Sequence, residues 1–251
     1  MSRARILLLL LGGALLLLLG RGAAHVRSAG PVATPPTPHL GRSAQAARTD
    51  PALLVPPRPP ARGVDVEAIR LAIRDAGAAV YLPAMFSETD SVLRRWTDDD
   101  ATALRVAYVL GGVPGWDPED QAIARAAFHG WEEVAPVRFV EVLDTADAQL
   151  IVRWIPRFAI DRTGQTDLTW DEQGRIHRAV IQLALADSGG RELAPDGLRA
   201  VALHEVGHAL GLPHSDLAAD LMFPATRRPA LTPRDIATVQ LLYRLPPVSL
   251  K

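Results

Sequence analysis

The chain of 251 residues predicts an α+β domain of about five strands and three helices. Three observations predict it. Short apolar runs bounded by turn residues recur from Leu104 onward. Three helix starts carry Asp or Thr beside Pro. All 13 aromatic residues lie between Tyr81 and Tyr243, whereas nine of the 21 prolines precede residue 61. The folded part is therefore about 160 residues, the usual size of one domain.

The elements follow in order. Val64 to Ala76 places Val66, Ile69 and Ile73 at helical spacing, which predicts a short amphipathic helix. LRVAYVL (104–110) is a strand ended by Gly111-Gly112. Asp117-Pro118-Glu119-Asp120 opens a helix to about Val134, with an N-cap Asp, Pro at the first position and acids in the first turn. Its apolar face is Ile123, Ala127, Trp131 and Val134. VRFVEVL (137–143) and AQLIVRWI (148–155) are two more strands. Residues 168–184 read as strand, turn, strand, with Gly174 in the turn. Asp196 is expected to cap a helix from Gly197 to about Leu210. Thr232-Pro233-Arg234-Asp235 resembles a capping box and opens a last helix through Tyr243, stopped by Pro246-Pro247.

Composition excludes several classes. Hydrophobic residues make up 48% and charged residues 22%, which suits a packed core rather than a disordered chain. Lys+Arg 27 and Asp+Glu 28 cancel, so bulk positive charge does not hold this protein to nucleic acid. Cysteine is absent, which removes disulfides, thiolate metal sites and a cysteine nucleophile.

The N-terminus has the order of an export signal. Arg3 and Arg5 precede the apolar run Ile6 to Leu19, and Gly22-Ala23-Ala24 supplies small residues for cleavage. A spanning helix needs about 20 apolar residues, so the run is short for a permanent anchor. Residues 1–24 are read as a signal peptide and 25–63 as a Pro/Ala-rich linker of polyproline II character. Residues 64–90 stand as a pro-segment or an N-terminal helix, residues 91–246 as the main folded domain and 247–251 as a tail. The protein is expected outside the cytoplasm, and at a membrane only if residues 6–19 stay uncleaved as an anchor.

The chemistry concentrates in His204-Glu205-Val206-Gly207-His208-Ala209-Leu210-Gly211-Leu212-Pro213-His214. Three of the seven histidines fall in these eleven residues. A chance match to H-E-x-x-H-x-x-G-x-x-H is on the order of 10⁻⁵ per chain of this composition. His204 and His208, four apart on a helix, share a face and can reach one metal. Glu205 can face the same cavity and accept a proton from an activated water. Gly211 can take the left-handed conformation that stops the helix, and Pro213 blocks its continuation. His214 then approaches from another direction. Three imidazoles with an open fourth position fit a catalytic Zn²⁺ site.

These residues resemble the metzincin zinc proteases, and among them the matrixins. Ser215 follows the motif as in many matrixins, and Met222, eight residues after His214, is similar to the matrixin Met-turn. Arg95-Trp96, Leu104-Arg105-Val106, Ala126-Ala127-Phe128, Val137-Arg138-Phe139, Ala146-Asp147-Ala148 and Leu231-Thr232-Pro233-Arg234-Asp235-Ile236 extend the likeness over about residues 91–245. The resemblance implies a twisted mixed sheet with the active-site cleft over the zinc helix. It implies that Glu205 is the general base, that Gly211 and Met222 support the site, and that Phe223 and Pro224 help bind substrate. It implies an endopeptidase acting on polypeptides; with the export signal, a secreted monomer is expected. A bound peptide is expected to add an antiparallel strand to an exposed edge, placed at Thr166–Trp170.

Two departures accompany the likeness. Without cysteine, the thiol latch of many matrixins cannot exist; Asp75, Glu88 and Asp90 are the candidate zinc blockers if latency exists. Between Ile155 and Asp196 the only histidine is His177, so a second, structural zinc is not expected. Ca²⁺ has candidate ligands in Asp161, Asp167, Asp171 and Asp187. The short loop from Phe223 to Ala230 suggests an open specificity pocket. The competing reading, from a different class, is a non-hydrolytic zinc-binding surface module.

Overall fold

Residues 63–85, 91–110 and 112–250 are described by a computed structural model. The signal segment, residues 25–62 of the linker, Glu88, Asp90 and Gly111 lie outside the described residues. No helix among the described residues is long and apolar enough to cross a membrane.

Helix α1 (Val66–Ala76) starts where the Asp65 carboxylate accepts from Ala68 N–H at 3.0 Å, and it buries Ile69 and Ile73. Strand β1 (Val92–Leu93) precedes a one-turn helix, α2 (Asp98–Ala101), capped by Thr97. Strand β2 (Leu104–Val109) leads to α3 (Pro118–Glu132), whose Asp117 and Asp120 form a reciprocal capping box. Strands β3 (Phe139–Glu141), β4 (Leu150–Ile155), β5 (Gly164–Trp170) and β6 (Ile176–Ala184) complete the sheet. Helices α4 (Pro195–Ala209) and α5 (Pro233–Arg244) follow, then β7 (Val248–Ser249).

The sheet order is β3-β2-β4-β6-β5. β2 is parallel to β3 and β4, β4 is parallel to β6, and β5 runs antiparallel to β6 at one edge. The mixed five-stranded sheet of an α+β domain is thus present, with the predicted β-α-β-β-β-β-α-α order between Leu104 and Arg244. Alternation decides which face is inside: Leu104 and Val106, Leu150 and Val152, and Ile181 and Leu183 enter one core with α3 and α4.

Several boundaries differ from expectation, each for a physical reason. α4 begins at Pro195, whose fixed φ suits the first helical position. Asp196 therefore lies inside the first turn, where its charge favours the helix dipole but caps nothing. The strand expected over 137–143 narrows to Phe139–Glu141 because only the start of β2 lies beside it. α2 adds to the expected helices, and β1 and β7 to the expected strands; all three are too short for any period to show. Residues 247–251, expected as a tail, supply β7, which pairs antiparallel with β1.

Candidate metal centre

The three histidines converge because α4 stops abruptly. Leu212 N–H donates to Gly207 O at 3.1 Å and Gly211 N–H to His208 O at 2.9 Å, the paired bonds of a Schellman motif. Gly211 sits at φ +101°, and a Cβ there would strike the carbonyl oxygen of Arg94. No other residue fits both demands. The chain reverses, and His214 returns to face the helix. Orphan carbonyls at the end of α4 find indole and phenol donors: Trp96 Nε1 to Ala209 O at 2.8 Å, and Tyr243 Oη to Leu210 O at 3.2 Å. Trp131 Nε1 donates to Leu203 O at 2.9 Å, so three aromatics fix this helix.

Backbone carbonyls set the tautomers. His204 Nδ1 lies 2.9 Å from Leu221 O, and His208 Nδ1 lies 2.9 Å from Leu212 O. A carbonyl only accepts, so each Nδ1 carries the proton and each Nε2 keeps its lone pair. His208 Nε2 lies 3.0 Å from His204 Nε2 and 3.2 Å from His214 Nε2. Burial lowers the His204 pKa from 6.5 to about 4, and burial plus the two neighbouring rings lowers His208 well below its ordinary value. Neutral rings with facing lone pairs repel unless a cation sits between them. Tetrahedral zinc at ~2.0–2.1 Å from each nitrogen separates ligand nitrogens by about 3.3 Å, so the trio fits that metal. Among the described residues it is the group of His, Asp and Glu side chains able to hold an ion.

Glu205 is only 5% exposed. Its Oε2 accepts from the Thr166 hydroxyl at 2.7 Å, and that hydroxyl also lies 3.0 Å from Glu205 O. Burial raises its carboxyl from 4.5 to about 7, opposed by the Thr166 bond and by Arg162. β5 comes this close because of Gly164, where a Cβ would lie 2.7 Å from both Glu205 Cγ and Val201 Cγ1. Met222 is fully buried beneath Gly207, where a Cβ would meet its sulfur and stand 3.0 Å from Trp131 Cζ2.

A cleft of about 1020 Å³ runs over these groups, between β5 and the loop Pro224–Arg227. Pro224 lines it; Phe223 does not, being half-buried in the turn that its N–H makes with Asp220 O. Asp161 and Asp187 reach the cleft rim, but Asp187 is engaged by Arg191. Asp171 pairs with Arg175 at 2.6 Å, and His177 stands 3.4 Å from it. Asp167 accepts from Gln165 at 2.8 Å. These acids form no ion-holding group among the described residues. Asp75 is exposed at the end of α1, outside the cleft lining.

Sequence reasoning named Thr166 only as the start of an exposed edge and passed over Gly164, because nothing in the spacing of a strand reports which helix residue it will touch. Asp235 announced itself only as a cap. Its carboxylate also accepts from Leu221 N at 3.1 Å and Met222 N at 3.4 Å, fixing the turn beneath the histidines.

The matrixin family model matches residues 115–244. Metalloendoproteinase 1-MMP of Arabidopsis thaliana is 34% identical over 169 residues, covering 59% of this chain and 44% of that protein. Matrix metalloproteinase-19 of Homo sapiens is 36% identical over 136 residues, covering 49% and 26%. Metalloendoproteinase 4-MMP of Arabidopsis thaliana is 31% identical over 164 residues, covering 59% and 48%. The chain thus spans less than half the length of these relatives.

Proposed function

The chain belongs to the matrixin family, and on that premise we propose that it is an exported zinc-dependent endopeptidase acting on polypeptides. One observation carries the reading: three histidine Nε2 atoms converge beside a buried glutamate that they do not need as a ligand. Zinc bound there supplies Lewis acidity toward the scissile carbonyl and makes a water easier to deprotonate. Glu205 takes the proton of the attacking water and passes it to the leaving amine. A carboxyl held near 7 suits both transfers at neutral pH. Thr166 fixes one of its oxygens and so its rotamer. Gly211 and Met222 keep His208, His214 and the floor of the site in register.

Among the described residues β5 pairs with β6 alone, so its outer edge offers main-chain donors and acceptors to an extended peptide. Pro224 and its neighbours wall the cleft on the other side. Export follows from the signal-like residues 1–24, and the reading takes a monomer with one catalytic zinc. A non-hydrolytic zinc module is disfavoured, because metal binding alone does not require a buried carboxyl at Glu205. The test is cleavage of an unfolded protein by the purified chain, with metal content measured alongside. One zinc per chain, activity lost to a chelator and restored by zinc are expected. A zinc-loaded chain that cleaves nothing would favour the module.

A further inference from the structure

The segment from Val64 to Met85 is built into the core. Ile73 is 1% exposed, Tyr81 2%, Leu82 0% and Met85 1%. Polar contacts tie it down as well. Arg70 Nε donates to Leu250 O at 3.1 Å. Arg234 on α5 donates to Ala78 O at 2.9 Å and Val80 O at 3.2 Å, while its other nitrogen pairs with Asp220 at 2.6 Å. Tyr81 N–H donates to Thr238 Oγ1 at 3.3 Å.

One contact leads from this segment toward the metal centre. The Tyr81 hydroxyl donates to Asp235 Oδ1 at 3.0 Å. The same carboxylate accepts from Leu221 N and Met222 N. Leu221 O in turn receives Nδ1–H of His204 at 2.9 Å. Asp235 is completely buried, so no water replaces a missing donor. Burial and the Asp235 charge hold the phenol far above its ordinary range, so it stays a donor at every working pH.

We propose that Tyr81 is a positioning residue of the metal centre, acting through Asp235 and the Leu221–Met222 turn on His204, and that residues 64–85 are therefore retained in the working protein rather than removed as a pro-segment. Remove the phenol proton and Oδ1 keeps only the long bond from Met222. The carboxylate then re-aims, the turn shifts, and the carbonyl that orients His204 moves with it. Groups that orient metal ligands from behind typically change metal affinity 10–100-fold. The inference rests on the protease reading only for its effect on turnover; its effect on metal geometry stands apart.

The test is Tyr81→Phe in the full chain, which deletes one oxygen and keeps the ring. Zinc affinity is measured by competition with a chromophoric chelator, and the visible spectrum is recorded with cobalt(II) in place of zinc. The expected result is about tenfold weaker zinc binding, the low end of that range. An altered cobalt spectrum and a fall in kcat at unchanged KM are expected with it. Tyr108→Phe, on a ring stacked against Trp154 outside this network, is the control and leaves all three unchanged. Zinc affinity within twofold of the parent, with an identical cobalt spectrum, overturns the proposal. If the parent cleaves nothing, the protease reading fails, and the affinity and spectrum still decide this one. If Tyr81→Phe does not fold, the N-terminal sequence of the exported zinc-loaded protein decides. A start at or before Val64 supports retention, and a start beyond Met85 overturns it.

Discussion

Glu205→Gln should make the metal-free protein more stable at alkaline pH. Glu205 is 5% exposed, and among the described residues Thr166 is its close side-chain donor. Its carboxyl is raised from 4.5 to about 7. The folded chain therefore keeps a proton that the unfolded chain releases between those values. Stability falls as pH rises through that window, and the loss is complete above pH 7. At 1.36 kcal/mol per pH unit the full loss is about 3 kcal/mol. Glutamine keeps the shape and an acceptor for Thr166 but has no charge to bury. The variant should match the parent near pH 4.5 and exceed it by up to ~3 kcal/mol at pH 8. For a chain of this size that is about 6–12 °C in midpoint. Urea unfolding in a chelator, followed by tryptophan fluorescence at several pH values, measures the difference. Equal stability at pH 8, or a difference that does not grow from pH 5 to 8, would refute the reasoning.

Other perturbations test other parts of the site. Gly211→Ala forces a side chain into φ +101° against Arg94 O and should lose at least ~2 kcal/mol, with weaker zinc binding because Leu212 O no longer aims His208; unchanged urea and zinc titrations would contradict this. Met222→Ala empties a fully buried site and should lower stability by about 2–5 kcal/mol, read from the denaturation midpoint. His204 falls from 6.5 to about 4 on folding, so the unfolded chain takes up the proton first. The contribution of this ring to metal-free stability is then full above pH 6.5 and declines by up to ~3 kcal/mol as pH falls through 4, opposite in sign to that of Glu205. A flat profile between pH 7 and 4 in a His204→Gln comparison would show that burial of this ring is not the cause.

Legibility in the sequence followed how local each signal is. The helix starts at Asp117 and Thr232 could be read because a cap and its partner lie three residues apart. The turn at Gly174 could be read because only a positive φ, here +80°, closes it. The zinc helix was legible for the same reason: His204, His208 and Gly211 act within two turns. What stayed hidden depends on residues far apart in sequence. Tyr81 and Asp235 are separated by 154 positions, and Thr166 and Glu205 by 39. No periodicity encodes such pairs; they exist only after the sheet and α5 have packed. Asp196 misled because the same residue type serves as a cap or in the first turn, and Pro195 decided which. Residues 64–90 read as pro-segment or N-terminal helix from their pattern alone, because pattern shows an apolar face but not what covers it.

The central claim is that Glu205 moves the proton at a site held by His204, His208 and His214. The most direct measurement compares zinc content and cleavage of an unfolded protein for the parent and Glu205→Ala. The account predicts one zinc per chain in both and a loss of cleavage of at least ~10²-fold in the variant. Unchanged cleavage with zinc still bound would contradict it.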